Sequence, residues 1–404
     1  DDEGKEKSSE QTEEQLNAAS ALWRQSKNDL SDEDYIDFYK TIAHEDDEPL
    51  FWLHTKAEGT LEYTTLFYVP KTAPFDMHYV DYKPGVKLYV KRVFITDSEK
   101  ELMPAYLRFL RGIIDTEDLP LNVSREMIQE NRVLATIKQQ SVKKLLGEIK
   151  RIADNEPDKF QQFIEQYIRP IKEGLYSDFT NREQLLEIVR YKSTAVDGMT
   201  SFADYVSRMT EDQKAIYYIT GDKEHNLRNS PLLEAYRKKD IEVLVMDDDI
   251  DEIIVPTIGT YQDYELRPVN RSDAGEDLKN EGDKEKEEDL KPVIERVKKV
   301  LGDQVKDVRP SVRLSDSPSC IVVDDADPTM KMQQLLKAMG QQDTPEVVPI
   351  LELNPDHDLV KRLKDADDET LEDLSAILYG QAVITEGGEL KDPADFVKRM
   401  NRRL

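Results

Sequence analysis

Apolar and polar positions first fall into a regular pattern in Tyr63–Pro70 (YTTLFYVP) and Val86–Ile95 (VKLYVKRVFI). Both stretches alternate and are rich in β-branched and aromatic residues, so both are predicted strands. The prolines and glycine of PKTAPFDM and DYKPG between them suit connections. Leu102, Tyr106, Phe109, Leu110 and Ile113 then recur at helical spacing, which predicts a helix over Glu101–Ile114. A longer helix is predicted from Ser124, its cap, with Leu134, Ile137, Val142, Leu145, Leu146 and Ile149 near one face.

An all-helical stretch is expected over about 155–210, followed by a second α/β unit. Ala215–Thr220 and Ile241–Met246 read as strands, and Ser230–Lys239 as a Ser-capped helix with Pro231 in its first turn. Strand, helix and strand with short connections imply a parallel pair in a covered sheet. The loop after Thr220, GDKEHNLRNS, stands where such folds bind ligands, without the spaced glycines of a dinucleotide site. Farther on, Pro292–Leu301 is a predicted helix, Val305–Leu314 a strand broken at Pro310, and Cys320–Val323 its partner. Helices are expected at Glu369–Thr385 and Pro393–Leu404. The fold class is therefore multidomain α/β and α+β: two α/β units joined by helices, then an α+β module.

Charge refines the organisation. The 404 residues carry 84 acidic and 56 basic side chains, a formal −28. That field opposes general affinity for nucleic acid or an anionic membrane, and no apolar run approaches a membrane span. The excess is partly concentrated in residues 1–15, with seven acids and two lysines, and residues 273–289, with nine acids and three lysines. Both read as weakly ordered linkers. The expected division is a charged linker at 1–21; a region 22–270, split into α/β units at about 22–150 and 213–270 around a helical connector at 151–212; an acidic linker at 271–290; and a module at 291–404. One cysteine, Cys320, excludes an internal disulfide and fits a reducing compartment.

Self-contained chemistry is hard to find. The chain holds no phosphate-binding G-x-x-x-x-G-K-[ST] or G-x-G-x-x-G, no H-E-x-x-H, and five histidines without ligand spacing. The exception is Asp115–Asn131 (DTEDLPLNVSREMIQEN), where a turn delivers Asn122, Ser124 and Arg125 to a predicted helix start. Free N–H groups and a guanidinium there suit an anion; an ordinary capped helix with Arg125 in a surface ion pair explains the same residues.

DLPLNVSREMIQEN closely resembles the catalytic loop in the middle domain of ninety-kilodalton heat-shock chaperones. LFYVPKTAPFDM, KLYVKRVFITD, PAYLRFLRGIIDTEDLP, DYVSRM, IYYITGD, ELNPDH and VKRMNRRL extend the resemblance collinearly from about Leu22 to Leu404, most like the family's bacterial type. It implies a middle plus C-terminal portion of an ATP-dependent, cytoplasmic chaperone, with the N-terminal ATPase domain absent from these residues. In that setting Arg125 contacts the γ-phosphate of ATP held with Mg in the ATPase domain of the same protein, while Asn122 and Gln129 order the arginine or the attacking water. The chain alone is then expected to lack ATPase activity. A nucleotide-independent holdase or scaffold is the alternative.

The resemblance also implies partners: partly folded client proteins and a second copy of the chain. Met332, Leu335, Leu336 and Met339 lie at i, i+3, i+4 and i+7, with Met330 nearby. Such a stripe is either buried core or an adaptable surface, and the family's matching helix contacts clients. Glu252, Ile253 and Ile254 match a second client position; the residues themselves also suit the edge of a buried strand. Leu371, Leu374, Ile377 and Leu378 form one terminal stripe, and Phe396, Val397, Met400 and Leu404 another. Both could pack on their own domain; the family implies a four-helix homodimer interface.

Overall fold

Every residue of Tyr63–Pro70 is buried, as expected of a strand covered on both faces. In the computed structural model the described residues are 21–97, 99–121, 131–279, 282–324, 327–341 and 346–403. The acidic start, Leu404, Asn122, Ser124, Arg125 and Gln129 lie outside them. The fold divides into two units, one ending at Tyr167 and one beginning at Ile168.

In the first unit, α1 (Asp32–Ala43) starts at a Ser31–Asp34 capping box. Five strands follow: β1 (Pro49–Ala57), β2 (Tyr63–Pro70), β3 (Gly85–Val90), β4 (Val93–Thr96) and β5 (Arg111–Thr116), in the order β1-β2-β5-β3-β4. β5 is antiparallel to β2 and parallel to β3. Alternation on β2 sends Leu66 and Tyr68 into a cluster with Trp23, Tyr35, Tyr39 and Ile113. Opposite Val69, Phe51 packs on Phe163, which belongs with Phe109, Phe160 and Tyr167 to a run of aromatic contacts. α2 (Arg132–Asn155) buries Leu134, Ile137, Val142, Leu145, Leu146 and Ile149, the face read from the sequence. α3 (Pro157–Ser177) continues the chain into the second unit.

Three expectations are corrected here. The apolar positions over Glu101–Ile114 are buried, but on short 3-10 turns, Lys100–Leu102 and Ala105–Leu107, and then on β5. Pro104 separates the turns, and Gly112 adopts φ +142, where a Cβ would stand 2.0 Å from the Leu66 carbonyl oxygen. The stretch Val86–Ile95 is two strands, because Lys91 and Arg92 take positive φ and reverse the chain. The described long helix begins at Arg132, not Ser124; Asn131 caps it, its side chain accepting from the backbone N–H groups of Val133 and Leu134.

The second unit contains α4 (Arg182–Ile188), β6 (Tyr191–Ser193), β7 (Met199–Thr200) and α5 (Phe202–Arg208), so the stretch expected to be all-helical also supplies strands. β8 (Ala215–Thr220), α6 (Glu224–Arg228), α7 (Glu234–Lys238) and β9 (Val243–Met246) follow, with β8 and β9 parallel as expected. Asp249–Ile258 is a helix, α8, capped by Asp248. β10 (Thr260–Tyr261) and β11 (Tyr264–Pro268) complete the sheet β10-β11-β8-β9-β6-β7, in which β11 is also parallel to β8.

The acidic run is partly structured: it includes the 3-10 turn Asp273–Leu278, with Leu278 buried, and the first turns of α9 (Asp283–Leu301). Then come β12 (Asp307–Pro310), β13 (Ser319–Val322), α10 (Met330–Ala338), β14 (Ile350–Leu353), α11 (Asp358–Arg362), α12 (Asp368–Thr385) and α13 (Pro393–Arg403). β13 is not β12's direct partner, because β14 lies between them, parallel to β12 and antiparallel to β13.

Charge is buried at the centre of that small sheet. Arg313 is 0% exposed, and Glu352 on β14 is also buried. Glu352 accepts from Arg313 Nε at 2.9 Å, Arg309 Nη2 at 2.6 Å and Ser311 Oγ at 2.8 Å. Arg313 also donates to the Val269 and Arg271 carbonyls after β11. Burial works to raise the Glu352 pKa, but the two guanidiniums outweigh it and hold the carboxyl below its usual range.

Candidate functional site

The approach to the Asn122–Gln129 segment is firmly built. At the end of β5 the fully buried Asp115 carboxylate accepts Trp23 Nε1–H at 2.8 Å and Arg24 Nε–H at 2.7 Å. Three residues on, Asp118 accepts the Glu62 N–H at 2.6 Å, while its own N–H donates to Thr116 Oγ1 at 3.2 Å. Leu119 is buried beside this turn. Asn122, Arg125 and Gln129, the expected phosphate-side residues, themselves lie outside the described residues.

The two segments expected to meet clients are neighbours in the second unit. None of Met330, Met332, Leu335 and Leu336 is fully buried, and Met339, the C-cap of α10, is 68% exposed. The stripe is thus partly exposed, with Met330 packed against the core of the last module. Thr329 caps α10 and donates its hydroxyl to Glu252 on α8; Lys331 pairs with Asp222 after β8 and with Asp249 at 2.9 Å. These polar links carry α10 against α8.

The α8 residues are less accessible than expected. Glu252 is 6% and Ile254 1% exposed, and Ile253 is half-buried. A ten-residue helix with an apolar inner face, not a strand edge, produces that burial. Of the three, only Ile253 offers appreciable surface, while Glu252 orients Thr329. Below them Asp251 is fully buried against Lys172 Nζ at 2.7 Å, a partner 79 residues away that no local pattern signals. Burial pushes the Asp251 carboxyl up to about 6 although Lys172 opposes the shift.

The terminal stripes divide. Leu371, Leu374 and Leu378 belong to the core of their own module with Val308, Leu351 and Leu353, and Ile377 is buried as well. Within the single chain these side chains face its own sheet, with α12 lying between α9 and β13. Phe396 and Met400 are half-buried and Val397 is 49% exposed, so α13 retains an apolar face. The ring of Phe396 sits over Gly380, where a Cβ would approach it to 2.6 Å. Buried Asp373 receives Arg403 at 2.8 Å, Arg399 at 3.2 Å and Arg402 at 3.3 Å, which fixes α13 on α12.

These residues place a partly exposed Met/Leu helix in a multidomain α/β protein. The family model described as Hsp90 protein matches residues 1–404, and the chain belongs to that family. It is similar to proteins named Chaperone protein HtpG: 58% identical to that of Treponema denticola, with all of this chain and 64% of the relative covered. Identity is 55% to the Treponema pallidum protein, covering 96% of this chain and 62% of the relative. It is 54% to the Aliarcobacter butzleri protein, covering 98% and 63%. The chain thus spans somewhat under two thirds of these relatives' length. No helix among the described residues is long and apolar enough to cross a membrane, and no group of His, Cys, Asp or Glu among them could hold a metal ion.

Proposed function

We propose that the chain is the client-binding and dimerising portion of an ATP-dependent cytoplasmic chaperone. The single observation that carries this reading is the α10 surface: a helix with four Met or Leu side chains incompletely buried and its Met339 end in solvent. Unbranched, polarizable side chains on such a face accommodate many apolar segments without a fixed complementary shape. Ile253 extends that surface from α8. Two copies associate through the Phe396, Val397 and Met400 face of α13, together with Leu404. ATP with Mg²⁺, held by the ATPase domain of the same protein, supplies the phosphoryl chemistry when bound; Arg125 contacts its γ-phosphate, with Asn122 and Gln129 beside it. An arginine pre-positioned at developing charge is suited to that task.

Suppression of aggregation of a heat-unfolded client by the 404-residue chain, compared with a Leu335→Lys, Met339→Lys double variant, tests the surface. The variant should lose most of the suppression while melting at the same temperature; undiminished suppression refutes the reading. For the arginine, ATP turnover on addition of the isolated ATPase domain should be stimulated by the wild-type chain and not by Arg125→Ala, with dimerisation unchanged. Equal stimulation removes Arg125 from the reaction.

A further inference from the structure

A cavity of about 110 Å³ opens beside the α10 surface, at a point singled out by the fold itself. β8 runs between two parallel neighbours: the chain leaves it toward β9 on one side, and β11 lies on the other. The cavity lies beyond the carboxyl ends of β8 and β11, the end at which open α/β sheets bind ligands. Here the segment after β8 contributes Asp222, Asn226 on α6 and Ser230, and the residue pair after β11 contributes Asn270. The floor is apolar, from Ile219, Ile321 and Val323, and Met330, Lys331 and Gln334 of α10 form one wall.

Two acceptors of the polar lining are left short of partners. Glu386, just past α12, lines the cavity and receives only the Ser230 hydroxyl, at 3.3 Å. No cation pairs with it among the described residues. Asn270 has a buried Oδ1 without a hydrogen-bond partner. Lys331, the lining cation, is already matched by Asp222 and Asp249. A carboxylate in an apolar crevice without its counter-ion is an expensive arrangement unless a cation arrives. Burial accordingly pushes Glu386 up to about 7, with Ser230 and, more distantly, Arg313 opposing the shift.

We infer that this cavity receives the ammonium tip of a lysine from a client segment lying on α10, with Glu386 as its counter-ion. The apolar floor takes the methylene stem and the acceptors take the head, as amphipathic basic side chains require. The site therefore selects, among apolar segments, those that carry a basic residue. This inference rests on the client reading of α10.

The test uses the full chain and two fluorescein-labelled unfolded apolar peptides, identical except for a central lysine or norleucine. A charge-assisted hydrogen bond of roughly 1.5 kcal/mol or more predicts about tenfold tighter binding of the lysine peptide. Glu386→Gln should erase that advantage and leave norleucine-peptide affinity unchanged. Binding of both peptides with equal affinity by the wild-type chain overturns the inference and spares the client surface; binding of neither overturns the client surface itself. A second measurement needs no variant. Glu386 receives the Ser230 hydroxyl and feels the buried Arg313 at longer range, and the Lys331 charge on the cavity wall is offset by Asp222 and Asp249. The wild-type lysine advantage should therefore be larger at pH 8, with Glu386 ionised, than at pH 6, and an advantage independent of pH counts against the assignment.

Discussion

Replacing Glu352 by glutamine should open the small sheet of the second unit. The carboxylate pairs directly with two guanidiniums, and one of these, Arg313, has no exposed surface. Glutamine keeps the shape and can still accept a hydrogen bond, but it leaves Arg313 with the Val269 and Arg271 carbonyls as its other acceptors. Breaking a buried pair by removing one partner costs about 3–5 kcal/mol, equivalent to roughly two to three and a half orders of magnitude in an opening equilibrium. The chain contains a reporter for that opening. Cys320 is its only cysteine, is buried, and lies directly across the β13–β14 register from Glu352, with Sγ 3.7 Å from the carboxylate. Burial pushes its thiol pKa well up, so labelling proceeds through the opened sheet, where the thiol is ordinary. Under native conditions, labelling by an aromatic disulfide should accelerate roughly 100- to 4,000-fold in Glu352→Gln. An acceleration below about tenfold would show that the network contributes little to closure, and the energetic reasoning would be wrong.

Two further outcomes follow from other buried groups. Lys172→Met leaves Asp251 buried without its cation and should destabilise the second unit by about 3 kcal/mol at pH 8. Asp251 already has a raised folded pKa, so its ionised form loses stability as pH rises through about 6; the variant's deficit should shrink at pH 5, and urea titrations giving the same deficit at both values would refute this. Gly112→Ala places a Cβ against the Leu66 carbonyl at a φ that side chains rarely adopt, in the central strand of the first unit. It should abolish that unit's near-ultraviolet dichroism, and a native spectrum at 25 °C would contradict the geometry.

What the sequence disclosed follows from the range of each interaction. β2, β8 and most of β9 were legible because their apolar runs are local and bounded by turn residues. The α10 stripe was legible because helical spacing alone places Met332, Leu335, Leu336 and Met339 together. The reversal at Lys91–Arg92 was hidden, since neither residue carries the usual turn signal of glycine or asparagine. β14 was hidden because its four residues include Glu352, a charge that makes sense only beside Arg309 and Arg313. The α12 leucines had the right period, but a stripe does not say whether a sheet of the same chain or another copy covers it. The cavity joins Ser230 to Glu386, which no local pattern could connect.

The anchoring of Trp23 on Asp115 has a consequence for how this molecule can be observed. Trp23 and Trp52 are the chain's two tryptophans, and both stand beside Tyr35 or Phe38 within the first unit. The single thiol stands in the second. Indole emission therefore speaks for one unit and sulfur chemistry for the other, so the unmodified chain carries two optically and chemically independent voices. Loss of either unit can be timed without altering a residue.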